Sequence, residues 1–150
     1  MRKKQSALGY SLKLLSYRGR SEGELMKRLS MRGYADNEIK KTMRRLKEMG
    51  LIDDRSVAFN FRNYAERTKR LGTIGIRNFL LSRGIPGEII DEVCHDIDEE
   101  GNALRLLEKR IKDYSDEGDK RRVYSLLQRK GYSFETIRKV LKKFYNEEVY

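Results

Sequence analysis

The sequence predicts an all-α protein in which nine helices form three tandem three-helix repeats, stacked into an elongated, curved body. A leucine-containing segment that ends in glycine recurs at Gly33, Gly84 and Gly131, which are 51 and 47 residues apart. A period near 50 residues in a chain of 150 indicates three copies of one structural unit. No segment alternates apolar and polar residues strongly enough to predict a strand. An isoleucine follows each of these glycines after six residues, at Ile39, Ile90 and Ile137.

The first repeat, residues 1–53, divides into three predicted helices. The first runs from Ala7 to about Tyr17, with leucines at helical spacing. Ser21 and Glu24 form a capping-box pattern that predicts the start of the second helix, and the repeat glycine ends it. Asp36 is expected to cap the third helix. The core positions of that third helix are Ile39, Met43 and Leu46.

The second repeat, residues 54–100, and the third, residues 101–150, follow the same register. Thr73 is expected to cap the middle helix of the second repeat, and Ser133 the last helix of the third. Cys94 is the only cysteine, which excludes an internal disulfide and fits a reducing compartment. The positions that match the core of the first repeat are Ile90, Cys94 and Ile97, then Ile137, Leu141 and Phe144.

The chain is strongly basic, with a net charge of +11 and 38% charged residues. Proteins of this kind bind nucleic acid, anionic membranes or acidic protein surfaces. No apolar run reaches the length of a signal peptide or a membrane span, so we expect a soluble, cytoplasmic protein without a membrane partner. Residues 1–53 carry 14 basic and 6 acidic side chains, residues 54–100 carry 7 and 9, and residues 101–150 carry 13 and 8. The positive charge is therefore concentrated in the first and third repeats.

Clusters of basic side chains in these two repeats are the candidate binding residues. Each cation taken singly fits a solvated helix surface, but like charges three or four residues apart weaken a helix. Two equivalent helices that tolerate such spacing suggest an anionic partner. The candidates are Lys40, Arg44, Arg45 and Lys47 in the first repeat, and Lys120, Arg121, Arg122, Arg138, Lys142 and Lys143 in the third.

Several other groups are interpreted as structural. Cys94 and His95 are adjacent, so on a helix they point in different directions, and no metal site or other cofactor is predicted. Tyr34 and Tyr132 are expected to pack onto their own bundles. No nucleophile, base or carboxylate arrangement indicates an enzyme. A solvated acidic patch, or a complement to a basic neighbour, is expected from Asp96, Asp98, Glu99 and Glu100.

A family resemblance covers most of the chain, from about Ala7 to Phe144. Residues 50–58 resemble the signature of the RecX family, regulators of the bacterial RecA recombinase: a glycine, two hydrophobic residues, two aspartates and, after three further residues, an alanine. Ile52 stands where leucine is more usual, which changes the chemistry little. The signature residues in this chain are Gly50, Asp53, Asp54 and Ala58. The segments before and after them are also similar to the family, at Ser21, Glu24, Leu25, Leu29 and Gly33, then Gly72, Ile76, Leu80 and Gly84, and finally Lys130, Gly131, Tyr132 and Ile137.

The resemblance implies a non-enzymatic modulator of RecA that binds the groove of the RecA filament on single-stranded DNA. Such a protein limits filament extension, ATP hydrolysis, strand exchange and co-protease activity, and so affects recombination, DNA repair and the SOS response. We expect a monomer, and binding to double-stranded DNA stays open. Because an aspartate before a helix most simply caps it, Asp53 and Asp54 are interpreted as a joint between repeats rather than a partner contact.

Two alternatives remain open at this stage. The first is an autonomous protein that binds DNA or RNA without sequence specificity, since three-helix units can present a helix to a groove. The predicted third helices carry few side chains that read base edges, which argues against sequence-specific recognition. The second alternative is a scaffold for an acidic protein, with no nucleic acid involved.

Overall fold

The computed structural model describes residues 4–114 and 116–145, and these residues form nine α-helices and no strand. The predicted all-α fold of three-helix repeats is confirmed. Residues 1–3 and 146–150, at the outer ends of the first and third predicted repeats, lie outside the described residues. Two single turns of 3-10 helix, Ile111–Asp113 and Glu117–Asp119, precede the eighth helix. The helices are α1 (Ala7–Tyr17), α2 (Glu22–Met31), α3 (Asp36–Glu48), α4 (Asp54–Arg67), α5 (Thr73–Ser82), α6 (Gly87–Cys94), α7 (Glu99–Glu108), α8 (Lys120–Arg129) and α9 (Phe134–Phe144).

The described residues separate into two compact units. The N-terminal unit contains the residues through Asn60 together with Leu80–Val93. The C-terminal unit contains Phe61–Phe79 together with the residues from Cys94 onward. The second predicted repeat therefore contributes to both units, and the repeat boundaries at residues 53 and 100 remain predictions.

The core of the N-terminal unit lies among α1, α2 and α3. Leu25, Leu29 and Leu46 are fully buried, and Ile39 and Met43 are each 4% exposed. The predicted core register of the third helix is therefore confirmed. Since one face of α3 packs inward, its cations lie on the remaining surface.

The core of the C-terminal unit lies among α7, α8 and α9. Val123, Leu127 and Ile137 are almost completely buried there. Val140 is fully buried, whereas the predicted core residues Leu141 and Phe144 are only partly buried and pack against the edge of the cluster. The last helix is thus turned slightly from the predicted register.

Two helix starts in the first repeat differ in detail from the prediction. The Ser21 hydroxyl accepts a hydrogen bond from the Glu24 amide at 3.0 Å, so this cap is confirmed. The Glu24 carboxylate, however, binds the Arg20 guanidinium at 2.7 Å, where the capping box predicted a bond back to the Ser21 amide. Asp36 is wrong as the cap of the third helix: Ala35 occupies the cap position and Asp36 is the first helical residue. There the Asp36 carboxylate complements the positive end of the helix dipole.

Four further predictions concern the second and third repeats. Thr73 is the first residue of α5 rather than its cap. Ile97 lies beyond the end of α6 at Cys94, so it does not continue that helix as predicted. Cys94 itself is buried, as predicted. Ser133 caps α9, because its hydroxyl accepts the Thr136 amide at 3.2 Å.

The three repeat glycines all adopt the left-handed conformation, with φ of 84° at Gly33, 75° at Gly84 and 80° at Gly131. Their surroundings differ. A Cβ atom on Gly33 would meet no described atom within 4 Å, whereas one on Gly131 would lie less than 3.0 Å from the backbone of Gly75. On Gly84 it would lie 3.0 Å from the Glu24 nitrogen. Gly84 and Gly131 therefore allow both a turn and a close backbone approach.

These close approaches have the same design in both units. In the N-terminal unit the turn at Gly84 packs on the first residues of α2. In the C-terminal unit the turn at Gly131 packs on the first residues of α5, where the Gly72 and Ile74 amides donate to the carbonyls of Lys130 and Gly131 at 2.9 and 3.0 Å. The start of a predicted middle helix is thus covered by the glycine turn of the next predicted repeat. In the C-terminal unit the turn satisfies helix-start amides that lack an intrahelical partner, whereas in the N-terminal unit the Arg83 carbonyl of the turn accepts a hydrogen bond from the Ser21 hydroxyl.

Candidate interaction surface

The basic candidates of the first repeat all belong to α3 and are exposed. Lys40, Arg44 and Arg45 make no side-chain hydrogen bond or ion pair with any described residue. Lys47 differs, because its ammonium group binds the Glu22 carboxylate at 2.9 Å. Three of the four predicted residues therefore keep their charge available to a partner.

Half of the third-repeat candidates have intramolecular partners. Arg122 binds the Asp119 carboxylate at 3.0 Å, and its guanidinium also lies over the Tyr114 ring. Lys143 binds Glu100. The Lys120 ammonium lies 5.5 Å from the centre of the Tyr145 ring.

The other third-repeat candidates are Arg121 on α8 and Arg138 and Lys142 on α9. None of them has an ion-pair partner among residues 4–114 and 116–145. Arg138 and Lys142 are four residues apart, so they share one face of α9. Lys139, their neighbour, is held by Glu135 at 2.9 Å, and this ion pair raises the pKa of Lys139. The structure thus separates six unpaired candidates from four with intramolecular partners.

A groove between α2 and α3 was missed by the sequence reasoning. Two adjoining cavities, of about 360 and 300 Å³, share Met26 of α2 and Lys40 of α3. Lys27 contributes a further cation to its wall. The sequence signal was available, since Glu22, Met26 and Ser30 recur every four residues and so share one face of α2.

The signature residues lie at the start of α4 and the turn before it. Gly50 has a φ of 69°, and Ala58 is fully buried. One Asp53 carboxylate oxygen accepts the amides of the next helical turn at 3.1 and 3.2 Å, which makes Asp53 the cap of α4. The Asp54 carboxylate instead accepts the amide of Glu22, the first residue of α2, at 2.8 Å. Each aspartate therefore satisfies the start of a different helix.

The acidic segment at the start of α7 repeats this arrangement. Asp98 caps α7 through the Gly101 amide at 3.0 Å, and Glu99 accepts the amide of Thr73, the first residue of α5, at 2.9 Å. Glu99 also accepts hydrogen bonds from the Ser133 and Thr136 hydroxyls. The patch is not simply solvated: Asp98 and Glu99 have capping roles, while Glu100 complements a lysine as the second interpretation proposed.

The Glu99 carboxylate has a lowered pKa. Its partial burial opposes ionisation, but this is outweighed by hydrogen bonds from the hydroxyls of Thr136 and Ser133 and from the amides of Thr73 and Ser133. Glu99 is therefore held as an anion at neutral pH. It connects the starts of three helices, α5, α7 and α9.

The tyrosines that follow the repeat glycines are buried, as predicted. The Tyr34 hydroxyl donates to the Gln5 carbonyl at 2.6 Å, and the Tyr132 hydroxyl donates to the Arg70 carbonyl at 3.1 Å. Burial raises the pKa of Tyr132 to about 12. Neither ring is placed to stack on a base.

Over the described ranges, no group of three or more histidine, cysteine or carboxylate residues is arranged to hold a metal ion. Within the same ranges, no helix combines the length and the apolar character needed to cross a membrane.

Comparison with known proteins relates the chain to one family. The family model for the RecX first three-helix domain matches residues 7–46, and that for the third three-helix domain matches residues 98–141. A regulatory protein RecX from Chlorobaculum tepidum is 32% identical over 148 residues, covering 97% of this chain and 92% of the relative. A regulatory protein RecX from Thermus thermophilus is 35% identical over 126 residues, covering 84% and 83%.

A solved structure shares the fold. The crystal structure of RecX from Lactobacillus salivarius superposes with a TM-score of 0.80 at 22% identity, covering 92% of this chain and 94% of that chain. The signature at the start of α4, the two matched three-helix domains and the relatives of similar length agree. The chain belongs to the RecX family of regulatory proteins.

Proposed function

We propose that this protein regulates RecA by binding the groove of the RecA filament on single-stranded DNA and limiting filament extension. ATP hydrolysis, strand exchange and co-protease activity fall as a consequence. The observation that carries the proposal is the set of unpaired cations on helices of the first and third predicted repeats, five of which lie on the equivalent helices α3 and α9. Family membership supplies the regulatory role. The set comprises Lys40, Arg44, Arg45, Arg121, Arg138 and Lys142.

The unpaired cations favour a polyanionic target. An exposed lysine or arginine that has no intramolecular partner loses no ion pair when it binds a phosphate or a carboxylate. Contacts of this kind give an affinity that depends on salt and carries little sequence information. A filament that offers both DNA phosphates and repeated protein surfaces suits such a chain.

The repetition of the cations favours a partner that is itself a repeating polymer. The arginine–lysine pairs lie on α3 and α9, which belong to different compact units. Once one unit binds, the second binds at a raised effective concentration. This mode of action needs no catalytic group and no cofactor, and we place it in the cytoplasm with the protein as a monomer.

The decisive experiment is ATP hydrolysis by the cognate RecA on single-stranded DNA, with this protein added well below one copy per RecA subunit. We expect strong inhibition, because blocking extension needs few molecules per filament. Inhibition only near stoichiometric amounts would indicate competition for DNA. No effect at equimolar protein in moderate salt would contradict the proposal and favour the autonomous nucleic-acid-binding alternative.

Charge-reversal variants test the surface itself. Arg44→Glu with Arg45→Glu, and Arg138→Glu with Lys142→Glu, should each weaken inhibition and flatten its dependence on salt. Lys13→Glu is the control, since it reverses an exposed cation outside the predicted set. Equal inhibition by the double variants and the unmodified protein would remove these residues from the mechanism.

A further inference from the structure

The groove between α2 and α3 is built from apolar side chains with a basic rim. Ile39 and Met43 form a buried floor, at 4% exposure each, and Met26 is 40% exposed above them. Methionine side chains are flexible and polarizable, so they adapt to apolar groups of different shape. The groove therefore offers a hydrophobic contact as well as charge.

The rim is positive because most of its cations lack partners. Lys27, Lys40 and Arg44 make no ion pair within the part of the chain that the structure describes. The charges of Lys47 and Glu22 cancel, since they bind each other at 2.9 Å. The remaining charged group along the two cavities is Asp36, at one end of the groove. The lining thus keeps a net positive charge, with its cations on both walls.

The length of the groove suits a short helix. Its α3 wall runs from Asp36 to Lys47, which is about three helical turns, or roughly 16 Å at 1.5 Å per residue. Lys40 and Arg44 are one turn apart on that wall. A bound helix with acidic residues four positions apart could place one carboxylate near each cation, with an apolar side chain over Met26.

We propose that this groove binds an acidic amphipathic helix of a protein partner. Both chemical features of the groove are used by such a ligand: its carboxylates pair with Lys27, Lys40 and Arg44, and its apolar residue covers Met26. A nucleic acid would use the cations but neither the apolar floor nor Met26. Single-stranded nucleic acid also gains affinity by stacking on aromatic side chains, and the lining residues of this groove include none.

This inference deepens the proposed function and rests on it, because the RecA filament presents protein as well as DNA. It assigns the first-repeat cations Lys40 and Arg44 to a protein contact. The third-repeat cations Arg121, Arg138 and Lys142 are left to contact phosphates. The two patches should then respond differently to peptide and DNA ligands.

The test measures binding to the full chain by fluorescence anisotropy with two labelled probes. One is a synthetic amphipathic helical peptide with glutamates four residues apart and leucines on one face. The other is a single-stranded oligothymidylate of equal net charge. Three variants are compared with the unmodified protein: Met26→Ser, Lys40→Glu with Arg44→Glu, and the matched control Arg138→Glu with Lys142→Glu. A thermal melt of each variant establishes that it is folded.

For Met26→Ser we expect peptide binding about five-fold weaker and oligothymidylate binding unchanged, because roughly 1 kcal/mol of apolar burial is lost without any change in charge. The Lys40–Arg44 reversal should weaken peptide binding more than ten-fold, and the Arg138–Lys142 reversal less than two-fold.

Peptide binding that is insensitive to Met26→Ser would overturn the inference. So would the absence of saturable peptide binding, or a larger effect of the Lys40–Arg44 reversal on oligothymidylate than on peptide, which would assign the groove to nucleic acid. ATP hydrolysis by RecA separates this inference from the proposed function. Peptide binding as expected, with no effect on RecA, would contradict the function and leave the groove assignment standing.

Discussion

Replacing each repeat glycine by alanine tests whether the glycine turns join the predicted repeats. Gly33 and Gly131 have nearly the same φ, 84° and 80°, so alanine suffers similar backbone strain at both sites. That strain costs about 1–2 kcal/mol. The two sites differ in space, because only the Cβ on Gly131 would overlap another segment, the backbone of Gly75.

The extra cost at Gly131 can be worked from its contacts. Forcing a methyl group into a packed joint costs typically 1–3 kcal/mol. Moving the turn away also weakens the hydrogen bonds from the Gly72, Ile74 and Gly75 amides to the Lys130 and Gly131 carbonyls, each worth about 0.5–1.5 kcal/mol. We therefore expect Gly131→Ala to lower the free energy of unfolding by about 3–5 kcal/mol, and Gly33→Ala by about 1–2 kcal/mol.

Urea unfolding followed by circular dichroism at neutral pH measures both values. In a chain of this length 1 kcal/mol changes the melting temperature by about 2–4 °C, so the variants should also differ clearly in thermal melts. Gly84→Ala should fall between them, since its Cβ would lie 3.0 Å from the Glu24 nitrogen. Equal destabilisation by all three substitutions would refute the role of the glycine turns in joining the repeats. The left-handed backbone conformation would then account for the whole loss of stability.

Three further predictions concern single side chains. Asp54→Ala should lower the free energy of unfolding by about 1.5–3 kcal/mol, because it leaves the Glu22 amide without its charged acceptor. Inhibition of RecA should be retained. Lost inhibition at an unchanged melting temperature would instead assign Asp54 to partner binding. Glu99 has a lowered pKa, so its stabilising effect is present above the unfolded value of about 4.3 and is lost as pH falls through the folded value. The stability gap between the unmodified protein and Glu99→Gln should therefore narrow between about pH 5 and pH 3 in urea titrations, and a constant gap would contradict this. Tyr132→Phe should lower the free energy of unfolding by about 0.5–1.5 kcal/mol in the same urea titrations, because the hydrogen bond to the Arg70 carbonyl is lost. An unchanged free energy of unfolding would show that this hydrogen bond is energetically neutral.

The helices and most of their cores could be predicted because they depend on local pattern. Apolar residues three and four apart, a serine before each of two helices and a glycine after each of three helices are visible within short windows of sequence. The errors occurred where local signals compete or where tertiary packing sets the rotation of a helix. Asp36 is a good capping residue but lies one position too late, and Val140 lies deeper in the core than Leu141 because the packing of α9 sets its rotation.

The candidate surface could be predicted only in part. The positions of the cations follow from helical spacing, but which ones are neutralised depends on carboxylates far away in the sequence. Lys143 binds Glu100, 43 residues earlier, and Lys47 binds Glu22, 25 residues earlier. The groove beside Met26 could not be predicted from local pattern either, because its two walls come from different helices.

From the sequence alone, the repeat period, the all-α class, the excess of positive charge in the first and third repeats and the family could be determined, because each is a property of composition or local spacing. The tertiary structure decided what joins the repeats. Asp54 and Glu99 bind the starts of helices 32 and 26 residues before them, and Gly84 and Gly131 contact backbone about 60 residues before them. Such contacts arise from the satisfaction of helix-start amides by distant acceptors, and the sequence pattern does not show which acceptor meets which helix start.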